Sequence, residues 1–156
     1  MPAPKKAHDE MISRSKYRIE SIFTVVEARK EAALTSNLSH NLSMGEERVD
    51  LLLRISYNEK IYDLPVEIET QGGNMFQIEK NIGKCVETFG GMLVVPKSSM
   101  IPSIKQLLKE IPIKYSKRTM VLSYALMQTR NNTSDRIIKE AIEQLFPVLS
   151  STRTFF

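Results

Sequence analysis

The chain has 156 residues, of which 42% are hydrophobic and 26% charged, values typical of one globular domain with a substantial core. A net charge of +4 permits a nucleic-acid partner, and the single cysteine, Cys85, excludes an internal disulfide framework. Two histidines and one cysteine are too few for a zinc site. Because we find no cleavable signal and no apolar run of about 20 residues, we expect an intracellular, cytoplasmic protein without a membrane partner.

Two elements are predicted before residue 48. Residues 1–15 are polar and begin with Pro-rich, Lys-rich sequence, so we expect a flexible basic N-terminal arm. Over 16–42, apolar residues recur near the 3.6-residue period without Gly or Pro, which predicts a helix. Glu27 and Glu31 would share one face of that helix. Turn-forming residues over 37–45 close it.

A β-hairpin is predicted over residues 48–70, where apolar and polar residues alternate with the period of a strand. If its turn is the pair Asn58 and Glu59, Asp50 lies opposite Glu67, with Cβ atoms about 4.5–5.5 Å apart. Two carboxylates at that distance repel unless a cation lies between them, and Mg²⁺ prefers such oxygen ligands. The hairpin therefore suggests a metal site.

An ordinary sheet with one wet face is the alternative. Asn-Glu is not the Asn-Gly signal of a two-residue turn, and a slip of one residue would separate Asp50 from Glu67. In this ordinary sheet, the cross-strand pairs Arg54–Asp63 and Arg48–Glu69 would be ordinary salt bridges.

The next helix is predicted over 75–89, with Asn74 as its N-cap and Gly90 at its end. Cys85 lies on its apolar stripe and is expected to be a small core residue. The apolar run 92–95 is typical of a buried parallel strand.

The remaining chain predicts further helices and a last strand. These elements are a helix over 101–111, a strand over 119–127, a helix over 132–146 capped by Thr133 or Ser134, and a tail over 148–156. The order is helix, β-hairpin, helix, strand, helix, strand, helix, which predicts an α/β fold with a small mixed sheet flanked by helices. We assign 16–147 to a single domain.

This order of elements, with one acidic residue early in a strand and an acidic pair late in the next, resembles the PD-(D/E)xK nuclease superfamily. The likeness covers roughly residues 27–95 and implies a restriction-endonuclease-like core. Asp50 in RVDLL is similar to the superfamily's metal-binding aspartate, and Glu67 in VEIET to the glutamate of its E-x-K pair. Gln77 and Asn81 are spaced like its Gln-x-x-x-Tyr element, with Asn in place of Tyr.

The chain departs from the superfamily's pattern at one position, and the match to a second position is open between two residues. Glu69 stands where the superfamily has lysine, giving E-x-E. In that superfamily the lysine can migrate to the neighbouring helix, where Lys80 and Lys84 are available, and we choose Lys84. Glu27 or Glu31 would stand for the first-helix glutamate of some members.

The resemblance implies a metal-dependent DNA nuclease that uses Mg²⁺ or Mn²⁺. Asp50, Glu67 and Glu69 would hold the metal, Lys84 would orient water or counter developing charge, and Gln77 would position water or phosphate. DNA would be held through its phosphates, with candidate contacts at Lys5, Lys6, Arg48, Lys80 and Lys97. Aromatic residues make up 7% of the chain and Trp is absent, which argues against a base-stacking platform.

Two other classes of function stay open. One is a non-catalytic DNA-binding or assembly module of the same fold, since the lysine is missing. The other is a nucleotidyltransferase, which also pairs carboxylates on a strand but whose Gly-Ser turn is absent here. Nucleases of this kind that cut both strands commonly pair up, so a homodimer is also open.

Overall fold

The computed structural model of the protein describes residues 4–33, 48–70 and 74–153. Its strands are β1 (Thr24–Ala33), β2 (Arg48–Tyr57), β3 (Lys60–Glu69), β4 (Met92–Pro96), β5 (Thr119–Val121) and β6 (Ser151–Arg153). Its α-helices are α1 (Pro4–Glu20), α2 (Met75–Phe89), α3 (Ile101–Glu110), α4 (Ile113–Ser116), α5 (Tyr124–Gln128) and α6 (Asn132–Leu145). The described strands form an open mixed sheet flanked by helices, so the predicted α/β class is confirmed.

The sheet has the strand order β1-β2-β3-β4-β5, and β6 pairs with β3. The first three strands are antiparallel to one another, whereas β3, β4 and β5 run parallel. β3 therefore lies where an antiparallel hairpin meets a parallel crossover through α2. Its carboxyl end faces the start of that helix, a position where α/β sheets commonly bind ligands.

The hairpin has the predicted register. Tyr57 pairs with Lys60 and Arg54 with Asp63, across a turn made of Asn58 and Glu59. Asn58 and Glu59 both have positive φ, 47° and 66°, the combination that type I′ hairpin turns require. The predicted hairpin is therefore confirmed, although the turn lacks the favoured glycine.

Alternate residues of β4 pack on opposite faces of the sheet. Leu93 and Val95 join a cluster with α1, α5 and α6, whereas Met92 and Val94 join a second cluster with α2 and α3. The continuous apolar sequence of this strand follows from burial on both faces. Helices thus cover the sheet from two sides.

The predicted helix over 16–42 is wrong in its second half. α1 ends at Glu20, and residues 24–33 form β1, which pairs with β2 along its length. Val25 and Val26 are β-branched, and pairing with the hairpin outweighs the helical spacing of the apolar residues. The loop predicted over 37–45 lies outside the described residues.

The expectation of a flexible arm over 1–15 is also wrong for residues 4–15, which form most of α1. Met11, Ile12 and Ser15 are buried there, together with Ile19 one turn later. These residues follow the spacing of a helix face packed on a core. This segment is therefore part of the folded body.

α2 has its predicted limits. The Asn74 side chain accepts a hydrogen bond from the Gln77 backbone N–H, and Gly90 ends the helix with φ 89°. A Cβ at Gly90 would lie 2.0 Å from the Val148 carbonyl oxygen, so only glycine fits. Cys85 is buried, as predicted.

The last third of the chain differs from prediction in three places. The strand expected over 119–127 ends at Val121, because Ser123 caps the short helix α5. The N-cap of α6 is Asn131, with Ser134 completing a capping box, so the prediction of Thr133 or Ser134 is wrong. The segment assigned to a tail contains β6, which pairs with β3.

None of the described helices could span a bilayer by length and apolar character.

Candidate functional site

A cavity of about 390 Å³ lies at the carboxyl end of β3, beside the first turns of α2. Most of its described lining residues have polar side chains. The described lining residues are His8, Asp50, Glu67, Ile68, Glu69, Thr70, Asn74, Gln77, Ile78 and Asn81. Three of them are carboxylates from the hairpin, so the cavity concentrates negative charge.

The cavity opens where β2 and β3 stop pairing through their backbones. The antiparallel pairing runs as far as Leu51 and Val66. Beyond that pair, the Asp50 N–H donates to Glu67 Oε1 at 3.1 Å, and the Ile68 N–H donates to Asp50 Oδ2 at 2.8 Å. Side-chain carboxylates thus accept the hydrogen bonds that a strand would normally accept. The predicted juxtaposition of Asp50 and Glu67 is confirmed.

Glu67 is the most enclosed of the three acids, with 5% of its surface exposed. It pairs with Val94 in the parallel ladder and so shares the face of the sheet that α2 covers. Asn81 on α2 approaches Glu67 Oε2 with its amide nitrogen at 3.5 Å, and Gln77 donates to Asn81 Oδ1 at 3.0 Å. α2 therefore holds this carboxylate through a short chain of amides.

Burial and neighbouring carboxylates disfavour the charged forms of Glu67 and Glu69. Burial raises the pKa of Glu67 well above its usual range, and the charges of Asp50 and Glu69 raise it further. Burial and then the charge of Asp50 raise the pKa of Glu69 to about 7, with His8 acting in the opposite direction. Because the charged forms of these carboxylates are disfavoured here, a cation bound among them would be stabilised.

His8 is the functional candidate that the sequence did not reveal. Its Nε2 lies 3.3 Å from Asp50 Oδ2 and 3.2 Å from the Ile68 carbonyl oxygen. The hydrogen bond with Asp50 raises the pKa of His8, against the opposing effect of burial. The prediction of an arm over 1–15 gave this histidine no fixed position. The spacing of Met11, Ser15 and Ile19 was the available signal for a helix there.

The predicted lysine does not reach this cavity. Neither Lys84 nor Lys80 is among its described lining residues, and both side chains are exposed on α2. Gln77 does line the cavity, but its side-chain hydrogen bond is with Asn81 rather than with a carboxylate. His8 is thus the basic side chain among the described lining residues.

Glu27 and Glu31 do not act as a pair on a helix, because both lie on β1. Glu27 forms ion pairs with Arg29 at 2.9 Å and with Arg54 at 3.5 Å. Glu31 lines a different cavity, near Asp9 on α1. The prediction that either stands for a first-helix glutamate is therefore wrong.

The donors suit a hard cation in chemistry, since carboxylate and amide oxygens are the ligands that Mg²⁺ and Mn²⁺ prefer. As the side chains stand, no three His, Cys, Asp or Glu residues of 4–33, 48–70 and 74–153 are arranged to hold a metal ion. The side chains of Asp50 and Glu67 accept backbone hydrogen bonds instead, and the Glu69 carboxylate has no hydrogen-bond or ion-pair partner among those residues.

Comparison with protein-family models, with curated proteins and with solved structures gives no match. The functional interpretation therefore depends on the residues of the cavity themselves. Those residues are an acidic cluster, an amide chain from α2 and a histidine from α1.

Proposed function

We propose that this protein is a metal-dependent DNA nuclease that hydrolyses phosphodiester bonds with Mg²⁺ or Mn²⁺. Asp50, Glu67 and Glu69 would hold the cation. The observation that carries the proposal is their convergence in one cavity, where burial and mutual repulsion raise the pKa of Glu67 and of Glu69. Repulsion within such a cluster lowers the free energy of unfolding, and a bound divalent cation would offset that repulsion.

The residues around the acids have separable tasks in this proposal. The Ile68 N–H fixes Asp50, while Asn81 and Gln77 orient Glu67 from α2. A bound cation supplies Lewis acidity, which lowers the pKa of a water and offsets phosphate charge. His8 places a basic nitrogen at the cavity, where it can donate a hydrogen bond to a phosphate oxygen or carry a proton.

DNA would reach the cavity along a basic surface. Lys97 directly follows β4, and its backbone N–H donates to the Glu69 carbonyl oxygen at 3.0 Å. The exposed side chain of Lys97 therefore begins close to the acidic cluster. Lys80 lies on the exposed side of α2. Both are suited to phosphates. The side chains of Lys5 and Lys6 lie outside the described part of the chain.

The proposal is tested by incubating the protein with linear and branched DNA in Mg²⁺ or Mn²⁺. We expect cleavage that EDTA abolishes and that Glu67→Gln lowers at least about 100-fold, since even outer-shell partners of metal ligands are worth about 10–100-fold. Glu79→Gln, on the exposed side of α2, is the matched control and should cleave like the wild type. No cleavage by the wild type, or equal cleavage by Glu67→Gln, would contradict the proposal.

A non-catalytic DNA-binding module is the second candidate. It is favoured by Glu69 in place of the lysine and by the exposure of Lys84 away from the described cavity lining. Under this alternative the wild type binds DNA in a salt-sensitive way without cutting it, and Glu69→Lys creates or sharply raises cleavage. Efficient cleavage by the wild type would remove it.

A further inference from the structure

Positive charge is concentrated in the helical layer beside the cavity. Residues 75–118, which include α2, α3 and α4, contain eight basic and three acidic residues, whereas the whole chain has a net charge of +4. This segment therefore carries more than the entire net charge. Its exposed lysines are Lys80, Lys84, Lys97, Lys105, Lys109, Lys114 and Lys117. A surface of this kind attracts a polyanion along its length.

Within that basic layer, Phe76 is 74% exposed. It lies in the first turn of α2, between Met75 and Gln77. Gln77 lines the acidic cavity, and Met75 lines a groove of about 400 Å³ between α2 and α3. Phe76 therefore lies one residue in sequence from a lining residue of each concavity, with its ring exposed to solvent. The apolar stripe of α2 packs on the sheet through other positions, so core packing does not explain this ring.

We propose that Phe76 stacks against an unpaired base of the DNA strand whose backbone enters the acidic cavity. This inference rests on the proposed nuclease function and adds the form of the substrate, a strand with at least one unpaired nucleotide at the site. An aromatic ring accepts the face of any base, and the surrounding lysines neutralise the flanking phosphates. The low aromatic content argues against a base-stacking platform, but a single exposed ring is sufficient for one base.

The absence of tryptophan from the chain provides a direct probe. Phe76→Trp introduces a sole tryptophan at the proposed stacking position, and Ile113→Trp introduces one at the matched control position, which is 76% exposed in the same basic layer. We titrate each variant with a single-stranded oligonucleotide and with a blunt duplex of equal length, in Ca²⁺, with strand integrity checked on a gel. In the Phe76→Trp variant we expect strong quenching of the indole by the single strand and weaker quenching by the duplex. The Ile113→Trp variant should show little change with either.

A second measurement follows substrate binding in the protein without an introduced tryptophan. Phe76→Ala should weaken binding of the single strand roughly 5- to 100-fold, as the loss of one stacked base predicts. KM should rise while kcat changes little, and Phe76→Tyr should restore binding. Because the ring is exposed, the thermal midpoint of Phe76→Ala should match that of the wild type.

Three results would overturn the stacking inference. They are equal quenching at positions 76 and 113, an unchanged KM and affinity in Phe76→Ala, or loss of a dimer in Phe76→Ala with unchanged DNA affinity, which would assign Phe76 to a protein contact. The nuclease proposal fails separately. A wild type that cuts no DNA contradicts that proposal, while the fluorescence titration reports stacking without turnover.

Discussion

Two clusters of buried charge lie along α1, and they differ in how their charges are compensated. Arg18 is 3% exposed, and its Nη2 lies 2.5 Å from Asp135 Oδ1 and donates to Ser134 Oγ at 2.9 Å and to the Thr129 carbonyl oxygen at 3.0 Å. Near the other end of the helix, His8 faces three carboxylates that repel one another. The first cluster joins opposite charges and so stabilises the fold. The second brings like charges together, which lowers the free energy of unfolding.

This contrast explains why burial of charge alone does not identify a site. Around Arg18, Nη1 and Nη2 both have acceptors, whereas Nε lacks a partner among the described residues. Around Glu67 the neighbouring carboxylates share its sign, and burial together with their charges raises the pKa of Glu67. Uncompensated charge is therefore the property that indicates function here.

The largest effect on folding is expected from breaking the compensated cluster. Arg18→Ala should lower the free energy of unfolding by about 2–4 kcal/mol, because it removes a buried guanidinium together with its hydrogen bonds and its ion pair with the half-exposed Asp135. Urea denaturation measures this change. Arg54→Ala is the matched control, since Arg54 also forms carboxylate ion pairs, with Glu27 and Asp63, but is exposed, and it should change stability by about 0–1 kcal/mol. Equal losses in the two variants would contradict the distinction.

The opposite sign is expected at the uncompensated cluster. Glu69→Gln should raise the free energy of unfolding by about 1–3 kcal/mol at pH 8. The folded-state pKa of Glu69 is about 7, above its ordinary value of 4.5. Above that pKa the charged carboxylate destabilises the fold. The stability gain from Glu69→Gln should therefore vanish near pH 4.5, the ordinary pKa. Urea denaturation at both pH values measures it, with the exposed Glu140→Gln on α6 as a control near zero. Destabilisation at pH 8 would show that Glu69 is a structural residue.

The smallest effect is expected at His8. Its raised pKa means that the charged form is favoured by the fold, so its contribution to stability is present at low pH and is lost as pH rises through the folded-state pKa. His8→Gln should therefore cost about 0.5–1 kcal/mol at pH 5.5 and nothing at pH 9. A cost that is constant across this range would mean that packing, rather than charge, explains the contact with Asp50.

The hairpin and α2 could be predicted because their signals are local. Alternation over 48–69 fixes two strands, and Asn74 and Gly90 mark the limits of a helix through their own backbone preferences. The juxtaposition of Asp50 and Glu67 followed from the register alone. These parts of the site needed no knowledge of distant contacts.

The parts that were missed depend on contacts between distant segments. β1 has residues that fit a helix, and only pairing with β2 makes it a strand. His8 reaches Asp50 because α1 packs against the sheet through Met11 and Ile12, which composition did not suggest in a Lys-rich terminus. The resemblance pointed to a lysine on α2, while the structure supplies a histidine from another element.

The central claim is that the carboxylates of Asp50 and Glu67 share a divalent cation. Crystals grown at pH 8, above the pKa of Glu69, and soaked in saturating Mn²⁺ test it directly through anomalous scattering. We predict an anomalous peak within about 2.5 Å of an oxygen of each carboxylate. Well-ordered Asp50 and Glu67 side chains without a peak between them, at saturating Mn²⁺, would contradict the claim.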